Sequence, residues 1–415
     1  MRMLAGKSVF AGMVFALLMA GAAIAGEMPR AKPEKLGFSA ERLDYIDKFY
    51  AEKVKNGEMA GVVTLVARRG KVVHFNAVGF TDVETQQEME TDTLFRIYSM
   101  TKPIASTALM MLYEEGRFQL YEPVSAYIPE FKNLRALRDP EGPVDDTVPL
   151  EREPTIQDIM RHTSGFSHGL GTDDYENLYT EAGVFDPDGT LEEMMTKLSK
   201  IPLKYQPGTR FFYSLSPEIQ ARLVEIISGM PFDELLEQRL FGPLGMDETD
   251  FFAPADSVDR LAAVHWSKNG ELTTFSEENG HPEGGVLFQL WSIDSFAEDN
   301  ALKSGSFGLV SKAEDYWRFA QMMANGGEFE GKRYLSPRTV DFMASDHLAA
   351  QGIEGPGSYG FGLGFAVVED PAAVRATISK GAFYWSGAAA TQFWIDPEEE
   401  LVVVAMTQHM RADGI

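Results

Sequence analysis

The sequence predicts an α/β fold in which one sheet is assembled from both ends of the chain around a long, mostly helical insertion. Three observations lead there. β-rich runs cluster before residue 80 and after residue 360. Helical periodicity broken by Pro and Gly loops dominates between them. Neither repeats nor a low-complexity linker divides the chain. Its 415 residues, 44% hydrophobic and 11% aromatic, are ample for one large or two interlocked domains.

The first 25 residues read as an export signal. Arg2 and Lys7 form a basic start, Val9 to Met19 is apolar, and Ala23-Ile24-Ala25 is a small-x-small cleavage site before Gly26. A retained membrane anchor is the competing reading. The apolar part is short for a bilayer, so cleavage is expected, giving a periplasmic or secreted protein with no stable membrane association. The chain has no cysteine, so export brings no disulfides and stability must come from the core.

Ser39 opens a helix with Leu43, Ile46, Phe49 and Tyr50 on one side, ending near Gly57. Two β runs follow, Gly61 to Ala67 and Lys71 to Val78, joined by the hairpin signal Arg68-Arg69-Gly70. A helix is expected from Ser99 to Glu115, ended by Gly116. Downstream, Ser311 and Glu314 have capping-box spacing for a helix reaching Ala324. Strands are expected at Gly360–Val368, Val374–Ser379, Ala390–Ile395 and Glu400–Thr407, with Asp396-Pro397 as the last turn. The implied division is a discontinuous sheet domain, 26–104 with 306–415, and a helical domain, 105–305. The sequence stops at Gly414-Ile415 just after its last strand, where a sheet face still needs cover, so a truncated C-terminus is one expectation.

Acidic residues number 62 against 37 basic, a formal charge of −25, which makes nucleic acid a poor partner. The chemistry resides elsewhere. Ser99 and Lys102 have the spacing Ser-x-x-Lys, which puts both on one face of a helix. A hydroxyl and an amine so placed are a nucleophile and its base, provided the amine is held neutral by desolvation or a nearby cation. At a helix start, unpaired backbone N–H groups and the dipole favour a developing negative charge. The bland alternative is a capping serine beside a solvated lysine, although a lysine in a first turn opposes the dipole. Farther on, Tyr213 in Tyr213-Ser214-Leu215 could relay a proton, or simply fill the core. Trp385-Ser386-Gly387-Ala388 precedes a strand, where Gly387 lets backbone approach a ligand and a free N–H could stabilise an oxyanion. An ordinary turn is the alternative there.

In this order and spacing the three elements resemble the serine β-lactamase and penicillin-binding protein superfamily, in its class C-like branch, and specifically the family VIII carboxylesterases. Pro154 to Gly165, Pro207 to Ser214, Gly308 to Ser311 and Phe393 to Pro397 extend the likeness over essentially the whole mature chain. The resemblance implies a β-lactamase-like α/β domain, an antiparallel sheet flanked by helices, plus a mostly helical domain, with the active site between them. It makes Ser99 the acylated nucleophile, Lys102 and Tyr213 the proton-transfer pair, and the N–H groups of Ser99 and Ala388 the oxyanion hole. Leu215 stands where lactamases of this branch carry Asn, and Trp385 where they carry Lys. Loss of those polar anchors points away from β-lactams and toward esters with apolar groups.

The expected function is therefore an exported serine hydrolase cleaving short-chain carboxylic esters through an acyl-serine, with no metal and no cofactor. Its partner is a small-molecule ester; no oligomeric state follows from the sequence. Other readings are a β-lactamase or D-amino-acid peptidase of the same superfamily, or a non-catalytic binding protein with this fold. A Ser-His-Asp hydrolase is disfavoured because no Gly-x-Ser-x-Gly elbow occurs, and His162 and His168 read as loop or helix-end residues. The seven histidines are scattered, with no His-Glu-x-x-His, so metal-assisted hydrolysis is disfavoured too.

Overall fold

The structure is a computed structural model that describes residues 27–276 and 296–410. The expected export signal lies outside the described residues, among which no helix is long and apolar enough to cross a membrane.

An eight-stranded sheet is the frame. Its strands are β1 (Gly61–Arg68), β2 (Lys71–Asp82), β3 (Gln87–Glu88), β4 (Gly360–Phe361), β5 (Ala366–Val367), β6 (Phe383–Ser386), β7 (Gln392–Asp396) and β8 (Leu401–Met406). They run in the order β4-β5-β6-β7-β8-β1-β2-β3, every neighbouring pair antiparallel. The junction of the two chain ends is β1 against β8, with Val63 opposite Met406 and Leu65 opposite Val404. Val62, Val63, Leu65 and Val66 are all buried, so this central strand is covered on both faces and reads as a continuous apolar run.

Helix α1 (Ala40–Lys55) packs on β2 and β1, its N-terminus capped by the Ser39 hydroxyl, which accepts from the Arg42 N–H. Leu43, Ile46 and Tyr50 are half-buried, whereas Phe49 remains 57% exposed. Helix α4 (Ala313–Ala324) lies on β8, β1 and β7, burying Tyr316, Trp317 and Phe319. The helical region is centred on α2 (Thr101–Glu114), which packs against α3 (Ser216–Ser228). From Thr101 to Leu112 every residue of α2 is buried, because α2 is covered on all sides.

Three local expectations fail, each for a physical reason. Ser311 does not cap α4: Lys312 occupies the N-cap, and the Ser311 hydroxyl is shared with Thr249 Oγ1 at 2.7 Å, while Ser311 itself pairs with Phe95. Val374–Ser379 is not a strand. Asp370 caps one helical turn at Pro371–Val374, and Arg375 then turns left-handed at φ 56°, so the next strand begins only at Phe383. Gly360–Val368 is not one strand but the hairpin β4-β5. Its Gly364 sits at φ 94°, with a Cβ there 2.4 Å from Ser106 Oγ, so α2 presses against the bend.

Candidate active site

Ser99 lies in a single 3-10 turn, Tyr98–Met100, immediately ahead of α2 rather than inside it. Tyr98 adopts φ 44°, a left-handed conformation that costs a β-carbon residue about 1 kcal/mol. Its surroundings hold it there. The preceding Ile97 N–H donates to Leu309 O at 3.0 Å, and the buried Tyr98 ring meets Phe296 edge-on. Burial pushes the Tyr98 phenol up to about 12, so it stays neutral.

Lys102, one turn into α2, is buried, with Nζ 3.1 Å from Ser99 Oγ and donating to Ser306 O at 2.8 Å. It forms no ion pair among the described residues, although its charge is felt by the buried Glu218 carboxyl. Tyr213 arrives just ahead of α3 and donates from its phenol to Ser99 Oγ at 3.0 Å, with Lys102 Nζ 5.0 Å from its ring centroid. The structure thus brings Ser99, Lys102 and Tyr213 together.

The residues expected on the oxyanion side converge from the β6–β7 turn. Gly387 donates to Thr391 O at 2.8 Å, and the Thr391 hydroxyl donates to Ile97 O at 3.3 Å, tying this turn to the one carrying Ser99. A Cβ on Gly387 would lie 2.2 Å from Thr391 Oγ1 and 2.4 Å from Ile97 O, so the approach admits only glycine. The backbone N–H groups of Ser99 and Ala388 have no acceptor among the described residues. Ala388 and Leu215 line the same pocket as Ser99, Lys102 and Tyr213. Trp385 instead joins an aromatic wall, 5.5 Å from the Tyr213 ring and 5.4 Å from Phe361.

Sequence reasoning missed several supports. His162 is a strut, fully buried with its ring 4.8 Å from that of Tyr213 and its Nδ1 accepting the Ser214 N–H at 3.2 Å. Burial and, secondarily, the Lys102 charge hold its imidazole well below the usual range, so it stays neutral. Glu218 on α3 is wholly buried, accepting from Ser304 Oγ at 2.5 Å and Gly305 N–H at 2.8 Å, which fixes the loop whose Ser306 carbonyl meets Lys102. Burial raises its carboxyl above the normal value. A lone Glu in the first turn of a helix carries no sign of that task. His168 also lines the pocket. Among the described residues no group of three or more His, Asp or Glu could hold a metal.

A serine, a lysine and a tyrosine joined by hydrogen bonds in this α/β frame mark the chain as a serine-hydrolase-type enzyme. It belongs to the beta-lactamase family, which it matches over residues 46–414. It is 32% identical to protein Rv1367c of Mycobacterium tuberculosis over 368 residues, 85% of this chain and 86% of that protein. Esterase EstB of Burkholderia gladioli is 29% identical over 87% of this chain and 89% of its own. Among solved structures, EstCE1, a hydrolase with promiscuous acyltransferase activity, superposes with a TM-score of 0.75 at 26% identity, covering 91% of this chain and 94% of that one. The class C-like fold, shared with esterases, accords with the motif resemblance.

Proposed function

We propose that this protein hydrolyses carboxylic esters through an acyl-serine at Ser99. The observation that carries the reading is Ser99 Oγ lying 3.1 Å from Lys102 Nζ and 3.0 Å from the Tyr213 hydroxyl. Ser99 Oγ attacks the ester carbonyl carbon while Lys102 Nζ takes its proton. The carbonyl oxygen becomes anionic facing the free N–H groups of Ser99 and Ala388. On collapse the C–O bond breaks, the Tyr213 phenol protonates the departing alcohol, and Lys102 returns a proton to Tyr213. Water then attacks the acyl carbon, its proton passes to the same pair, and Ser99 leaves as the hydroxyl.

Leu215 gives the pocket an apolar wall, and Trp385 packs on the Tyr213 ring where a lysine would anchor the carboxylate of a β-lactam, which suits short acyl esters. Residues 1–25 act as an export signal in this reading, and N-terminal sequencing of protein from the periplasm or medium should begin near Gly26. The central test is intact mass after incubation with a panel of esters. A single acyl adduct, mapped by peptide digestion to Ser99 and missing in Ser99→Ala, is expected. Turnover without such an adduct, retained in Ser99→Ala, rules the mechanism out.

A further inference from the structure

His168 is a half-buried titratable group, its side chain 36% exposed, that the proposed chemistry does not use. It sits in the loop between Ser167 and the helix Asp174–Glu181, and its ring lines the pocket that holds Ser99, Lys102 and Tyr213. Its Nδ1 accepts the Leu170 backbone N–H at 3.0 Å, so in the neutral ring the hydrogen resides on Nε2. Among the described residues Nε2 has no hydrogen-bond partner. In the free enzyme water can meet that edge, and a substrate acceptor reaching it would take the water's place.

The ring is kept neutral by its surroundings. Burial lowers its pKa, Glu176 opposes that, Lys102 reinforces it, and Asp173 and Lys204 act in opposite directions with smaller effect. Glu176 Oε2 lies 3.8 Å from Nδ1 and is itself buried, its other oxygen accepting from Ser167 Oγ. The ring is therefore fixed on its Nδ1 edge by the Leu170 backbone N–H, while the Nε2 edge stays free. Around it the pocket wall is apolar, formed by Leu170, Leu215 and Phe307.

Resting on the acyl-serine reading, we propose that His168 is a specificity-determining residue. Its Nε2–H selects acyl groups that carry a hydrogen-bond acceptor a few bonds from the carbonyl, such as alkoxyacyl or hydroxyacyl chains, over alkyl chains of equal length. The acyl half is the one concerned because it remains bonded to Ser99 after the alcohol has left. It therefore occupies the recess beside the nucleophile, while the alcohol side must stay open for exit and for water. A donor that meets an acceptor only in the right substrate discriminates against the analogue lacking it.

The test compares p-nitrophenyl methoxyacetate with p-nitrophenyl butyrate, whose acyl groups differ by an ether oxygen in place of a methylene. Intrinsic reactivity cancels when the ratio of the two kcat/KM values is compared between variants. His168→Leu should lower that ratio about tenfold, the size of one neutral hydrogen bond, whatever its absolute rate on butyrate. His168→Gln, which restores a donor, should recover part of it. If the Leu variant does not fold, His168→Phe and His168→Gln carry the same comparison. An unchanged ratio in the donor-free variant overturns the proposal. So does a shift confined to esters that share an acyl group and differ in the alcohol half, 2-methoxyethyl against butyl, which would set His168 against the leaving group. Failure of either nitrophenyl ester to acylate Ser99 in the wild type counts instead against the ester-hydrolase reading itself.

Discussion

Gly387→Ala is the sharpest perturbation of the proposed oxyanion site, because it adds one methyl group and touches no catalytic side chain. Real Cβ atoms essentially never come within 3.0 Å of another atom, yet this one would stand 2.2 Å from Thr391 Oγ1 and 2.4 Å from Ile97 O. The β6–β7 turn must therefore retreat by roughly 0.6 to 0.8 Å, taking the Ala388 N–H with it. Oxyanion donors act within a window of about 0.4 Å, and losing one costs about 100- to 1,000-fold in kcat. Misplacement by about 1 Å has a similar price. The expected result is kcat for p-nitrophenyl butyrate down about 100-fold, KM changed little, and an intact far-UV spectrum. The Thr391 hydroxyl also loses its grip on Ile97, so a modest fall in Tm should accompany it. Turnover within threefold of wild type, with the fold intact, would refute the assignment of this turn to oxyanion stabilisation.

Ser99→Ala should keep the fold and lose esterase activity by several orders of magnitude, and Lys102→Ala and Tyr213→Phe should each cost nearly as much. Losses that simply multiply in the Lys102→Ala/Tyr213→Phe double variant would show that the two do not share a proton. A chromogenic cephalosporin should turn over far more slowly than a chromogenic butyrate ester, since Leu215 and Trp385 offer it neither an amide nor a positive charge; equal rates would overturn the ester preference. Asp158 gives a pH prediction. Burial works to raise its carboxyl, but hydrogen bonds from Arg152 and Thr155 and the charges of Arg152 and Arg161 outweigh it and hold the group at about 2, below the ordinary 3.8. A depressed carboxyl contributes stability above its unfolded value and loses it as pH falls through the folded one, so about 2 kcal/mol should disappear between pH 4 and 2. Urea unfolding should show that loss in the wild type and not in Asp158→Asn.

Legibility followed the range of the interactions concerned. The i,i+3 pair Ser99 and Lys102 was readable because a helical turn alone places them together, and β1, β2 and β8 were readable from unbroken β-branched runs. The helical turn at Pro371–Val374, found where a strand was expected to begin, was signalled only by Asp370-Pro371, a start signal overridden by the apolar residues after it. The false capping box at Ser311 arose because its hydroxyl is recruited by Thr249, a partner on another element. Tyr213 stood out through its motif, but His162 and Glu218 did not. Their work consists of contacts to residues 214 and 304–306, which nothing in their own neighbourhood announces.

The pairing of β1 with β8 has a temporal consequence. On the ribosome the serine-bearing turn at Tyr98–Met100 emerges well before the β6–β7 turn that would cradle the substrate's oxygen. Until the final hairpin docks beside the first, the nascent polypeptide possesses an alcohol but no electrostatic trap. Such an enzyme should be chemically silent until that turn has docked, its competence arriving all at once.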